Sequence, residues 1–432
     1  MLINYIILRK AFVGSLKYLF TSLEGQLLGL FSIMLISLVY SMEFLTSQAM
    51  FFLAAVVLFE NKKEAKGFGL RKGNWQRLKA HKLTSPFWLI TISFFLVLIS
   101  LLWSENLKVG FRWIQLKVPF IVFPLLFMML HRIEKGLLHK LFYFLLILMT
   151  VTCIPVLINY LMNYESVNLL LSQGQHVPVP SNHIRFSMLM ALSIVSGGYL
   201  FKEAHTWKYK LERWFIGAML VFLLFMIHLL SVRTGIALLY GMLMFIILAG
   251  FLKRGGLLKN LSFVILLLVG PVVAYKALPS LKSKINYSLW DYGKYKEGRA
   301  ANYSDSERII SIQAGLNVYR SAPMIGVGVG DLKDQLKDYY LSKHPNLKMK
   351  LPHNQFVTVA ATYGIFGLLL FMISILSPVF YRKNYKDTLF LAFNLFMLGS
   401  MLFESTLDTN YGITIYLVFL LIGLKILDKN PA

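Results

Sequence analysis

Very few ionisable side chains sit deep inside the apolar runs of this chain, and those whose types and spacing suit chemistry concentrate at one interface. His353 and Asn354 lie in Leu351–Phe371, LPHNQFVTVAATYGIFGLLLF, at the mouth of a long apolar segment. A neutral imidazole takes a proton near pH 7, which makes His353 a candidate general base. Asn354 is suited to orient it or to bind a sugar hydroxyl. The plainer alternative is an exposed interfacial histidine. Arg233 falls in the short turn SVRTG between two apolar runs. A guanidinium stays charged and grips phosphate oxygens in a fork, so Arg233 is a candidate diphosphate anchor. Its alternative is a side chain that snorkels to lipid phosphates.

Arg308 lies in SDSERIISIQAGLNVYRSAP. Ser304 and Glu307 have the spacing of a capping box, so a helix is expected to start there and to stop at Pro323. Arg308 then sits in the first turn, where the helix dipole and free N–H groups also favour an anion. Ile309, Ile312, Leu316 and Tyr319 form the expected apolar stripe. Arg320 is a weaker candidate for the same role. Arg112 and Lys117 open another run, either to snorkel or to face a cavity and meet an anion. Gly326, Gly328 and Gly330 alternate in IGVGVGD; with no strand–turn–helix unit around them they read as a tight turn rather than a dinucleotide fingerprint. Gly364 and Gly367 are spaced to let a neighbouring helix approach. No Asp-x-Asp pair, metal-ligand spacing or serine-centred nucleophile motif is present, so no metal and no cofactor are expected.

The elements that must position these residues are membrane helices. Of 432 residues, 57% are hydrophobic and 15% charged, more apolar surface than a soluble domain can hide. The apolar runs are long enough for spanning helices, and the short alternating segments of a barrel are missing. The net charge of +24 sits mainly in short loops, the pattern that orients a membrane protein rather than one that binds nucleic acid. The lone Cys153 lies inside an apolar run and has no partner for an intrachain disulfide. No cleavable signal peptide is expected.

Residues 1–20, with Arg9, Lys10 and Lys17, read as a cytoplasmic interfacial segment. About twelve spanning runs follow, near 26–42, 46–60, 86–103, 112–130, 139–160, 186–201, 214–230, 236–252, 257–275, 355–377, 388–403 and 412–427. The basic loop at 61–82 is topogenic and fixes the inner side. The expected fold is an all-α polytopic membrane protein with both termini inside. Helices 1–9 occupy residues 1–275, a large external loop with short amphipathic helices occupies 276–355, and helices 10–12 occupy 356–432. Arg233, Arg308 and His353 fall on one outer side. Among ionisable residues within the runs His228 is the main one, near an outer end. Ion-coupled transporters need such groups at mid-membrane depth, so a transporter is disfavoured.

Taken in order, these features resemble the O-antigen ligase/polymerase family of bacterial membrane glycosyltransferases. The shared pattern is an S-x-R-x-G turn (Ser231, Arg233, Gly235), an arginine-bearing helix, a P-x-x-G-x-G-x-G loop (Pro323, Gly326, Gly328, Gly330), and His-Asn opening a helix with Y-G-x-x-G. The likeness is clearest from about 214 to 378. It departs in having SVRTG where SRTG-like forms are common, and QFVTVAATYG where the family often has an acidic residue before the glycine. The resemblance implies a GT-C-like fold in the bacterial inner membrane, with a site facing the periplasm and a glycan on undecaprenyl diphosphate as donor. Arg233 and Arg308 would hold the diphosphate, His353 would deprotonate the acceptor hydroxyl, and the anomeric centre would invert without a metal. Lipid A-core as acceptor makes the protein a ligase, the favoured reading; a second lipid-linked repeat makes it a polymerase. A lipid-linked-glycan flippase is the reading from another class, and a scaffold for envelope enzymes a further one.

Overall fold

The computed structural model describes residues 18–62, 67–203, 210–252, 257–299 and 303–428. The interfacial segment expected at 1–20 therefore lies outside the described residues, except for its last three. The protein is an all-α polytopic membrane protein. Among the described residues eight helical segments are long and apolar enough to cross a bilayer, and four shorter apolar helices join them. Together they correspond one to one with the apolar runs of the sequence.

The chain opens with α1 (Leu23–Val39) and α2 (Glu43–Leu58), then a short antiparallel ribbon of β1 (Phe59–Lys62) and β2 (Gly67–Leu70), and α3 (Asn74–Ala80). The next two spans are each broken in two. One is α4 (Pro86–Ile90) with α5 (Ile92–Ser100); the other is α6 (Leu107–Lys117) with α7 (Pro119–Met129), where Pro119 supplies no N–H to continue the ladder. Then come α8 (Lys135–Met162), α9 (Tyr164–Ser172), α10 (His183–Lys202), α11 (Lys210–Leu230), α12 (Arg233–Leu252) and α13 (Leu257–Ala277). Three polar helices follow, α14 (Pro279–Lys296), α15 (Ser304–Ser321) and α16 (Leu332–Lys343). The chain ends with α17 (Gln355–Phe380), α18 (Thr388–Phe403) and α19 (Asn410–Leu427).

The bundle is built around α19. Its window of apolar residues is 83% buried by protein, against 39–67% for the other spans, so it is the central helix. The turn that feeds it, residues 404–409, is thereby fixed at the middle of one end. The two ends differ in chemistry. At one, the loop at 61–82 is more than a spacer: Arg77 is buried and donates to the Met129 carbonyl at 2.7 Å and to Asn74 Oδ1 at 2.8 Å. His81, Arg382, Asn384 and Asp428 meet at this same end. The opposite end gathers the turn at 104–106, the 173–183 loop, Arg233, the polar helices and His353.

Two features of the sequence resolve differently from expectation. First, α15 begins at Ser304 without a capping box; its N-cap is Tyr303, whose side chain makes no cap bond. The buried Asp291 of α14 does the capping, accepting from the Asp305 N–H at 2.6 Å, the Ser306 N–H at 3.4 Å and the Ser306 hydroxyl. A carboxylate there satisfies the free N–H groups and the helix dipole together. Second, the buried face of α15 is Ser306, Ile310, Ser311, Ala314, Gly315 and Val318, not the Ile309–Tyr319 stripe. Small residues let α15 lie close against α17, and Ile310, Ala314 and Val318 pack with Leu332, Leu336, Tyr340 and Ala361 in a small separate core.

Helix α17 breaks at Gly364, where φ is +66°. The break frees carbonyls and N–H groups that must find partners in a water-poor setting. The glycine-rich loop supplies them. The Val327 and Gly328 N–H groups donate to the Ala361 and Thr362 carbonyls at 3.1 and 2.9 Å, and the Ile365 N–H donates to the Pro323 carbonyl at 2.8 Å. Gly326, at φ +72°, faces the Thr362 backbone so closely that a Cβ would collide with it, and a Cβ on Gly364 would strike the Met324 carbonyl. Gly364 thus serves a backbone break rather than helix-on-helix approach. Gly364→Val should lower stability by about 2 kcal/mol or more, from strain and collision together. A thermal unfolding scan in detergent showing no shift against wild type would refute this.

Candidate functional site

Two elements of the polar end, α15 and the approach to α17, meet at the Glu404 carboxylate, in the turn before α19. Its Oε1 accepts from Arg308 Nη2 at 3.0 Å and its Oε2 pairs with His353 Nδ1 at 2.9 Å. All three side chains are about one-fifth exposed, neither sealed off nor freely solvated. With a carboxylate on Nδ1, the single proton of the neutral ring belongs there, and Nε2 carries the lone pair. His353 is held from behind as well: its N–H donates to Ser311 Oγ on α15 at 3.2 Å.

The turn at 404–409 is bolted to the start of α17. Ser405 Oγ donates to the Pro352 carbonyl at 2.7 Å, and Gln355 joins the Leu407 N–H at 2.8 Å and Asp408 at 3.0 Å. Asn354 caps α17 through its side-chain oxygen, accepting from Phe356 and Val357 N–H, and donates to the Leu402 carbonyl at 3.2 Å. Lys117 belongs to this scaffold. It is buried, donates to the Leu407 carbonyl at 2.5 Å and pairs with Asp408 at 2.8 Å. A charge so desolvated must be paired, which is why it meets a protein carboxylate rather than an anion in the cavity.

Arg233 opens α12 two residues after Ser231, which lies in the left-handed region at φ +54° and turns the chain sharply out of α11. Its guanidinium donates to Ser288 of α14 and Ser304 of α15 at 2.8 Å each, and pairs with Asp305. Arg308 also reaches Thr234 at 3.4 Å, so both arginines lean on the same helix start. Burial pulls the Arg308 guanidinium below its ordinary value, opposed by Glu404.

Arg233, Arg308 and His353 line one cavity of about 360 Å³. Its other described walls include His176, Asn182, His183, Lys284, Tyr287, Glu307 and Lys350. Four of these side chains are cationic (Arg233, Arg308, Lys284 and Lys350), against one carboxylate, Glu307, which pairs with Lys350 at 3.8 Å. The described lining is thus more cationic than acidic, with Arg233 and Arg308 also paired to Asp305 and Glu404 outside the lining. Lys284 is buried and donates to the Gly174 and Gln175 carbonyls at 2.6 and 3.0 Å, with its ammonium pulled down to about 8 by burial and by Arg233.

The structure brings together three of the residues singled out from sequence: Arg233, Arg308 and His353. Asn354 adjoins them as a cap. Lys117 is in the scaffold, and Arg112 and Arg320 are exposed and not among the described lining residues. Arg320 is at the far end of α15, three turns from Arg308. His228 is bound to the Leu224 carbonyl at 2.7 Å and to the Tyr240 hydroxyl at 2.9 Å, a packing role within the bundle. Glu404, Asp305, Lys284, His176 and His183 escaped the sequence reading. Only Glu404 left a usable signal, as an acidic residue in a short outer turn of a basic chain. Among the described residues no cluster of three metal-ligating side chains occurs.

Residues 218–372, which include the Arg233 turn, α14 to α16, the glycine loop and His353, match the family model described as O-Antigen ligase. No curated protein matches the chain at a significant level.

The imidazole of His176 carries a pH signature. Burial, its neighbour His183 and the nearby Lys284, Arg233 and Arg308 push it down to about 3. Between that value and the ordinary one near 6.5 the unfolded chain binds more protons than the folded chain, so this contribution to stability is full above about 6.5 and is lost as pH falls toward 3. His176→Gln should therefore flatten the acid-side fall in melting temperature. Scans between pH 4 and 7 giving the wild-type slope would contradict this.

Proposed function

We propose, for a chain that carries an O-antigen ligase domain and is thus a bacterial membrane protein of the ligase/polymerase glycosyl-transfer type, that the donor is a glycan on undecaprenyl diphosphate. The acceptor is lipid A-core. Arg233 and Arg308 hold the diphosphate in the cationic cavity. His353 Nε2 takes the proton of the acceptor hydroxyl while Glu404 keeps Nδ1–H in place and stabilises the imidazolium that forms. The acceptor oxygen bonds to the anomeric carbon. The bond from that carbon to the diphosphate oxygen breaks, and its electron pair leaves with the diphosphate. Attack opposite the leaving group inverts the anomeric centre. Arginine charge neutralises the leaving group, so the step needs no metal.

The observation that carries this reading is the shared Glu404 carboxylate, which sets a base beside an anion receptor. A flippase needs a cationic path through the membrane and has no use for a carboxylate-oriented imidazole. The reading places the site at the periplasmic face of the inner membrane and both termini in the cytoplasm; the basic loops gathered at the opposite end support that orientation. The polymerase alternative shares the donor and differs only in the acceptor.

Surface glycans and lipid-linked intermediates from a deletion strain, separated on gels, test the assignment. Long chains that stay on the polyprenyl carrier while none reaches lipid A-core are the ligase result. Single repeats on the core with long chains absent would make the protein a polymerase. His353→Ala, expressed at wild-type level, should reduce transfer about 10²-fold or more; full complementation would remove the general base. Purified enzyme should keep its rate in EDTA, and a loss restored by a divalent cation would overturn metal independence.

A further inference from the structure

The mechanism leaves one wall of the cavity without a task. The stretch 173–183, QGQHVPVPSNH, is without helix until His183 opens α10, and is held by the two Lys284 hydrogen bonds to its backbone. His176 stacks on His183 with ring centroids 3.5 Å apart and planes 17° from parallel. The His176 Nδ1 is buried, yet it has no hydrogen-bond partner among the described residues. A buried ring nitrogen left unmet costs free energy unless a ligand meets it. The ring lines the same cavity as Arg233, Arg308 and His353.

The charge state of the ring bears on which ligand group suits it. Burial first, then His183, Lys284 and both arginines, hold the ring uncharged at neutral pH. An uncharged imidazole offers one N–H and one lone pair. That pair of valences fits a sugar hydroxyl, which both donates and accepts, whereas phosphate oxygens are better served by the arginines. Neighbouring groups on this wall are of the same kind: Gln173 and Gln175 line it, and Asn182 retains its amide NH₂ because only its oxygen is used, capping α10.

We infer that His176 hydrogen-bonds a hydroxyl of the sugar ring attached to the diphosphate, and that the stacked His176–His183 pair makes the 173–183 loop the sugar-selecting wall of the cavity. The inference rests on the reading of this cavity as the lipid-linked-glycan site. His183 supports the ring by stacking, Lys284 positions the loop, and the arginine wall contributes affinity without regard to the sugar.

Two probes separate the inference from that reading: undecaprenyl diphosphate without sugar, and the lipid-linked oligosaccharide extracted from the deletion strain. Affinity of the purified full chain for each is measured in detergent for wild type, His176→Phe and His176→Gln. Phe keeps a ring to stack on His183 and loses the hydrogen bond; Gln keeps a neutral hydrogen-bonding group. His176→Phe should bind the sugar-free diphosphate within about twofold of wild type and the oligosaccharide about tenfold more weakly, with His176→Gln within about threefold on both. Oligosaccharide binding by His176→Phe at wild-type strength, or equal losses on both probes, would overturn the inference and leave a packing role. If wild type binds neither probe, the cavity reading itself fails. Should His176→Phe not fold, His176→Leu serves with the same expected outcome.

Discussion

One carboxylate shared between a guanidinium and an imidazole is the contact on which the site depends. Glu404 holds Arg308 by one oxygen and His353 by the other. Those two residues come from separate elements, the start of the second turn of α15 and the approach to α17, while Glu404 comes from the turn before α19. Removing one charge from such a partly buried cluster leaves the others unpaired, so the three act as a unit. The central helix fixes the carboxylate, and the carboxylate sets the spacing between Arg308 and His353.

The rest of the polar end can be understood as support for that spacing. The break at Gly364 and the loop around Gly326 lock the external helices to α17 through backbone hydrogen bonds, which carry no sequence of their own beyond the glycines. Asp291 caps α15 and so presents Arg308 at a defined helix start. Lys117, Gln355 and Asp408 tie the Glu404 turn from below. Outside this end, the helices supply packing.

Much of this was legible in the chain. Apolar run length fixed the helices, because a bilayer demands a minimum span, and charge in the short loops separated the two ends. Arg233 and His353 stood out because each is a polar group at the mouth of an apolar run, and Arg308 because it follows a helix-start pattern in the external loop. Long-range partners were not legible. Nothing local marks Glu404 as the partner of residues far from it in sequence, nor Asp291 as a cap for α15 in place of Ser304. Lys117 misled for the same reason: its helix position shows that it is near the outer end, but only the fold reveals that Asp408 already neutralises it. The buried face of α15 was misjudged because small residues, not large apolar ones, face α17 there.

The most direct test of the account is the transfer rate of purified Glu404→Gln, measured in a single turnover with saturating lipid-linked donor and acceptor. Gln keeps the size of the side chain and removes its charge, so the imidazole loses its orienting carboxylate and the stabilisation of its protonated form. The rate should fall about 10²-fold or more, with donor affinity changed far less. A wild-type rate in a folded Glu404→Gln protein would show that the shared carboxylate is a packing contact and that the chemistry lies elsewhere.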